Sequence, residues 1–296
     1  MKVRIPLLIA FMFYMTMTAQ NLNKEIENEG NTPFLLGTIN KAGLTSNNYN
    51  AWFSENYDAY NLEQNTINVL SSALKDFNIT IFMGTWCGDS KREVPRFYKI
   101  LEACNFSENQ LRVVALSGQS NMYKQSPNHD EAGLNIHRVP TFIFYKNGKE
   151  INRIVEFPVE TLEKDMYNIV TTNTYKSNYQ IVATVHTILK YDGLKGLTKQ
   201  SEKLVEEYEG NVSNMFELNT YGRVLYLKNQ WDEAIEVFRL NNKLFPNNPR
   251  TFMSLANTIS INGNPKLGRD ILKKATVLFP ENENLKENLE NLNSMR

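Results

Sequence analysis

The sequence predicts an α/β domain, a mixed central sheet with flanking helices, followed by an all-α domain of helical repeats. Three observations carry that expectation. From Ile79 to about Thr172, apolar strand-like runs alternate with amphipathic segments, the signature of layered α/β structure. The dipeptide Asn147-Gly148 joins two of those runs and marks a two-residue hairpin, so at least one strand pair is antiparallel and the sheet is mixed. Beyond Tyr175 the strand signals stop, and the text begins to repeat at an offset of 34 residues. A chain of 296 residues, 42% hydrophobic and 22% charged, has room for two modest domains and is neither fibrous nor disordered in composition.

In chain order, Lys2 and Arg4 precede the apolar run "IPLLIAFMFYM", which gives way to "TMTAQ" and then to polar sequence. That order predicts a secretory signal peptide over 1–19, with Ala19 the last residue before the cut. An uncleaved anchor is the alternative, although the run is shorter than the roughly 20 apolar residues that span a bilayer. No cysteine stands at the junction, which argues against a lipoprotein anchor. The expected location is therefore the periplasm of a Gram-negative envelope, or the exterior. Lys plus Arg number 32 and Asp plus Glu 32, and loss of Lys2 and Arg4 leaves a net charge of about −2. Neither balance suggests nucleic acid or an anionic membrane as a partner.

The α/β domain is placed at 20–172. "PFLLGTI" reads as an edge strand, and "SNNYNAWFSENYDAY" as a short helix with Trp52, Phe53 and Tyr57 packed on the core, a ligand patch being the alternative. "NLEQNTINVLSSALKDF" sets Leu62, Ile67, Leu70 and Leu74 near one helical stripe. The order that follows is a strand at "ITIFMG", a helix at "SKREVPRFYKILEAC", a strand at "LRVVALS", a hairpin at "TFIFYKNGKEINRIVE" and a helix at "ETLEKDMYNIV".

The remaining sequence is helical. "KLFPNNP" at Lys243 to Pro249 recurs as "VLFPENE" at Val277 to Glu283, and the same offset pairs Leu218 with Phe252, Gly222 with Ala256, Ala234 with Gly268 and Phe238 with Leu272. Large residues meet large and small meet small, a pattern that resembles tetratricopeptide (TPR) repeats. Repeats with a capping helix are expected over 213–296, and a degenerate helical pair over 173–212 closes the other end of the stack, since about three units are needed for stability.

The chemistry centres on "MGTWCGDSKREVP". A cysteine just after a buried strand and at the start of a helix sits where backbone N–H groups and the helix dipole favour an anion, which promotes the thiolate. Cys87 holds that position, whereas a buried, inert role fits poorly with its loop between Trp86 and Gly88. A C-x-x-C redox motif would place a second cysteine where this chain has Ser90.

Over about Ile79 to Thr172 the chain resembles the thioredoxin superfamily. "TWCGDS" is similar to its W-C-G-P-C active site, Pro95 falls where its helix-kinking proline stands, and "RVPTFIFYKNGKEINRIVE" resembles its segment of cis-proline, strand, hairpin and strand. The resemblance implies that Pro140 is cis and faces Cys87, and that Trp86, Val139 and Pro140 meet the substrate chain, Val139 through its backbone. It also exposes departures. Ser90 replaces the resolving cysteine, Asp89 replaces the motif proline, and Ile81 occupies the position of the family's buried acid. Both parts of an intramolecular second attack are missing together. Cys104 cannot replace Ser90, because 17 residues of helix at about 1.5 Å each separate it from Cys87 by roughly 25 Å, against a disulfide limit of about 7 Å between Cα atoms. A small core residue is the expectation for Cys104.

With one sulfur, the expected chemistry is monothiol thiol-disulfide exchange of an oxidoreductase or isomerase type. Cys87 attacks a disulfide, and a second thiol, from the substrate or a small molecule, frees it. Ser90 is expected to support the thiolate by hydrogen bonding, and Asp89 to oppose it if its carboxylate is near. The expected partners are a protein carrying thiols or disulfides, or a small thiol, at Cys87, and a protein on the repeats. His129, His137 and His186 are too scattered for a metal cluster, and neither a metal nor a cofactor is expected. The rival reading is a non-catalytic thioredoxin-fold and TPR interaction or scaffold protein. The combination of leader and domains resembles Bacteroidetes envelope proteins.

Overall fold

The structure is a computed structural model that describes residues 22–28, 30–172 and 174–294. The expected signal peptide, 1–19, lies outside the described residues. Among the described residues there are seven strands: β1 Glu25–Asn28, β2 Asn31–Leu35, β3 Gly37–Ile39, β4 Phe77–Met83, β5 Leu111–Ala115, β6 Thr141–Lys146 and β7 Lys149–Val155. Helices α1 Lys41–Leu44, α2 Asn50–Asp58 and α3 Gln64–Ala73 lie between β3 and β4, α4 Gly88–Ala103 follows β4, and α5 Leu162–Thr171 follows β7.

Five strands form one mixed sheet in the order β3-β5-β4-β6-β7, in which only the β4–β5 pair is parallel. Strand β4 is central, with Ile81 opposite Val113 on one side and Phe142 on the other. It is also buried on both faces, which is why its sequence reads as an apolar run instead of an alternation. Ile79, Ile81 and Met83 face a core closed by α2, α3, α4 and α5, while Phe82 turns the other way toward Val114, Leu116, Ile136, Val139 and Ile143. The Asn147-Gly148 turn has φ of 53° and 74°, the left-handed pair that a two-residue hairpin requires.

"PFLLGTI" is not one edge strand. Phe34 and Leu35 belong to β2, which pairs with β1 in a separate two-stranded sheet, and after Leu36 the chain enters β3 at the edge of the main sheet. Gly37, with φ of 84°, makes that change of direction. In α2, Phe53 is buried, with Trp52 and Tyr57 packed against the same core.

The C-terminal region is all helical: α6 Gln180–Tyr191, α7 Gly193–Tyr208, α8 Phe216–Leu227, α9 Trp231–Leu244, α10 Pro249–Ile261, α11 Pro265–Leu278 and α12 Glu283–Ser294. The repeated small positions bring helices close. A Cβ on Gly222 of α8 would stand 2.5 Å from the Phe238 ring of α9, and one on Gly268 of α11 would stand 2.7 Å from the Ala256 carbonyl of α10. Helices α9 and α11 stop just before Pro246 and Pro280, which cannot continue a helical hydrogen-bond ladder.

The connection to α6 is docked on the α/β domain. The Tyr175 carbonyl accepts from Asn152 Nδ2 at 2.9 Å, and its hydroxyl donates to the buried Asp165 carboxylate at 2.7 Å. Tyr179 donates to Glu156, and Arg138 Nη2 donates to the Phe216 carbonyl of α8 at 3.2 Å.

Candidate active site

Cys87 closes the turn between β4 and α4. It is the residue capping the N-terminus of α4, with extended backbone (φ −92°, ψ 127°), and its carbonyl accepts the Lys91 amide at 3.0 Å to start the helix. Its side chain is half-buried, and Sγ donates to the Val139 carbonyl at 3.2 Å. The Val139–Pro140 peptide is cis. The sulfur thus lies between a helix N-terminus, which favours negative charge, and a backbone carbonyl from the segment that enters β6.

Neighbouring side chains fix this loop. The Leu35 amide donates to Thr85 Oγ1 at 3.1 Å, tying β2 to the turn. Trp86 donates through Nε1 to the Leu116 carbonyl at 2.8 Å. Its indole lies so close to two backbones that a Cβ on Gly84 would stand 2.5 Å from it and one on Gly118 2.9 Å. Only glycine leaves room for the ring at these positions.

Ser90 is fully buried, and its hydroxyl oxygen accepts the Gly84 amide at 3.2 Å. It therefore braces the start of the loop that carries Cys87. Asp89 is paired with Arg92 at 2.7 Å, so its charge is balanced locally. Arg92 also meets the buried Glu93 at 2.5 Å. Cys104 caps the far end of α4, is 4% exposed, and has its thiol pushed up by burial. One helix length separates the two sulfurs.

Two groups beside the site lay outside the sequence-based expectation. The Lys124 side chain is buried, its Nζ donates to the His137 carbonyl two residues before Val139, and its ammonium lies 5.0 Å from the centre of the Tyr123 ring. Burial pushes the Lys124 amine down to about 7; Arg138 acts in the same direction, and the Cys87 sulfur and Glu156 oppose it. Tyr123 in turn sits 5.9 Å from Trp86, ring centre to ring centre. Nothing in the local pattern of "SNMYKQSPNHD" marks a buried lysine, because lysine is rarely buried and the stretch has no helical or strand period.

His137 is not at the sulfur. It is buried, edge-on to Tyr179 and Tyr221 at 5.6 and 6.1 Å, and held neutral chiefly by burial and then by Lys124. Its Nδ1 faces the Asn135 carbonyl at 3.3 Å, and its Nε2 is buried without a partner among the described residues. The structure therefore brings Cys87, Trp86, Val139 and Pro140 together, sets Ser90 beneath them, and places His137 at the junction with the C-terminal helices.

Residues 41–170 match the family model described as thioredoxin. Comparisons with curated proteins and with solved structures find no match. The matched segment runs from α1 to the last turn of α5, and so includes the β4–α4 turn, the Val139–Pro140 segment and the β6–β7 hairpin. The chain carries a thioredoxin domain with a five-stranded mixed sheet, followed by an all-helical region that fits tetratricopeptide-like repeats.

Proposed function

We propose that this protein is exported and carries out thiol-disulfide exchange through mixed disulfides at Cys87, with the C-terminal helices acting as a TPR module that binds a protein partner. The observation that carries the reading is the position of one half-buried thiol at the N-terminus of α4, 3.2 Å from the Val139 carbonyl, with a buried serine three residues on.

In the first step the Cys87 thiolate attacks one sulfur of a substrate disulfide. The substrate S–S bond breaks, a Cys87–substrate disulfide forms, and the other substrate sulfur leaves as a thiolate. In the second step an external thiolate attacks the Cys87-bound pair. If that thiolate belongs to the same substrate, the disulfide is rearranged with no net oxidation or reduction. If it is a small thiol, Cys87 returns as a thiolate and the small thiol becomes part of a new disulfide. The Cys87 sulfur released in that step stands at the N-terminus of α4. The backbone at Val139 offers its carbonyl, now held by the thiol, to an incoming extended chain.

The test is intact-mass analysis after reaction with oxidised glutathione. Native protein is expected to gain one glutathionyl group at Cys87, to lose it on addition of a second thiol, and to gain none in Cys87→Ala. An adduct confined to Cys104, or no adduct without denaturant, would overturn the proposal.

A further inference from the structure

Four consecutive carbonyls lead into β6, and each has a donor. The His137 carbonyl accepts from Lys124 Nζ, that of Arg138 from Thr141 Oγ1 at 2.8 Å, that of Val139 from Cys87 Sγ at 3.2 Å, and that of Pro140 from the Glu156 amide at 2.7 Å. All four donors belong to the thioredoxin domain. The side chain in the middle of this segment, however, is held by the helical region.

Arg138 Nη1 pairs with Glu156 Oε1 at 2.9 Å, and Nη2 donates to the carbonyl of Phe216, the first residue of α8, at 3.2 Å. The guanidinium carbon lies 4.9 Å from the centre of the Tyr179 ring, and the Tyr179 hydroxyl donates to the other Glu156 oxygen. Glu156 is therefore gripped at both oxygens while its amide holds the Pro140 carbonyl. Two residues of the helical region, Tyr179 just before α6 and Phe216 on α8, thus reach both neighbours of the Val139–Pro140 peptide. Arg138 precedes it in the chain, and Glu156 holds it from the end of β7.

A planar guanidinium with two anchored donors and a stacked ring has little freedom to turn. Its anchorage fixes the backbone at 138 and with it the direction of the next carbonyl, Val139. Arg138 Nε is buried without a hydrogen-bond partner among the described residues. An unpaired buried donor costs stability, so docking of the two regions alone does not account for this pose.

We propose that Arg138 is a positioning residue, through which the helical region holds the Val139 carbonyl in the direction that an extended, disulfide-bearing chain must meet at Cys87. The kinetic consequence rests on the proposed exchange reaction, while the positioning does not. A small disulfide needs only an accessible sulfur. A polypeptide disulfide needs the sulfur and the carbonyl together, and a misplacement of about 1 Å can cost about a hundredfold in rate.

The experiment uses the full chain and two probes: bis(2-hydroxyethyl) disulfide, and a short Ser/Gly peptide whose one cysteine is disulfide-linked to 2-mercaptoethanol. Formation of the mixed disulfide at Cys87 is followed by intact mass. Arg138→Gln is expected to lower the peptide rate by about tenfold and to leave the small-disulfide rate within about twofold. Arg138→Lys keeps the charge without the planar fork and is expected to behave like the glutamine variant. Tyr179→Phe keeps the ring but frees Glu156, and should lower the ratio of the two rates in the same direction by a smaller factor. An unchanged ratio in Arg138→Gln, an equal loss with both probes, or full recovery in Arg138→Lys would overturn the proposal. Should Arg138→Gln not fold, an unchanged ratio in Tyr179→Phe overturns it. Hydrogen exchange of the Glu156 amide reads the positioning without any reaction, and is expected to quicken by about tenfold relative to the amides of β4 in the Arg138 variants. If the wild type leaves the small disulfide untouched, the exchange reading falls and faster hydrogen exchange at Glu156 still upholds the positioning. A wild-type hydrogen-exchange rate at Glu156 in those variants would overturn it.

Discussion

Replacing Lys124 by methionine should change the pH dependence of stability in a direction fixed by burial. The amine titrates at about 7 in the folded protein against an ordinary 10.5, so the unfolded chain holds a proton that the folded chain releases between those values. Protons bound preferentially by the unfolded state make stability rise with pH. The cost of the buried ammonium is therefore full below pH 7, shrinks as pH climbs, and is gone above 10.5. At about 1.36 kcal/mol per unit, a lysine shifted in this way costs roughly 4–5 kcal/mol at pH 6.5 and roughly 1–2 kcal/mol at pH 9.5. Lys124→Met removes that cost but leaves the His137 carbonyl without its donor, a loss of about 1.5–3 kcal/mol for a charge-assisted bond. The variant should therefore be the more stable protein by about 2 kcal/mol at pH 6.5, and the wild type should recover about 3 kcal/mol relative to it by pH 9.5. Urea unfolding of the two proteins at both pH values measures the difference, in which other titrating groups cancel. A difference that stays flat with pH, or that slopes the other way, would refute the argument. The latter would mean that the Cys87 sulfur outweighs burial and holds the lysine charged.

The remaining predictions concern the thiols and the junction. In the folded protein Cys87 should alkylate readily while Cys104, 4% exposed at the far end of α4, waits for local opening and reacts slower by about a hundredfold or more; equal rates would remove the distinction on which the site rests. Ser90→Cys should form an internal disulfide with Cys87 and confer dithiol reductase activity, as read by non-reducing mass analysis and insulin reduction. Failure to oxidise would show that the turn cannot bring two sulfurs together. Tyr175→Phe removes a bond to the buried Asp165 carboxylate and should cost about 1.5–3 kcal/mol. Because that bond ties the connection to the thioredoxin domain, the intact protein should melt in one calorimetric transition, and two separate transitions would contradict the docking.

Much of this arrangement is legible in the residues because its causes are local. The apolar run of β4, the hairpin dipeptide at Asn147-Gly148 and the strand-turn-helix order around Cys87 each depend on a few adjacent side chains. The 34-residue offset is legible because each repeat must place small residues such as Gly222 and Gly268 against a neighbouring helix. What escapes the sequence is set by contacts distant along the chain. The break at Leu36, which sends β2 and β3 into different sheets, depends on partners at Glu25 and Ala115. The buried Lys124 finds its acceptor at His137, thirteen residues further along the chain. Tyr123 has no role until Trp86 from one domain and Arg223 from the other meet it.

In the proposed reaction Cys87 acts alone and is released by a thiol from outside the chain. Its most direct test is to prepare the Cys87–glutathione mixed disulfide, add increasing concentrations of a second small thiol, and follow release of glutathione. The rate is expected to rise in proportion to the added thiol and to extrapolate to zero without it. Release at a constant rate, independent of added thiol, would reveal an attack from within the chain and rule out a monothiol reaction.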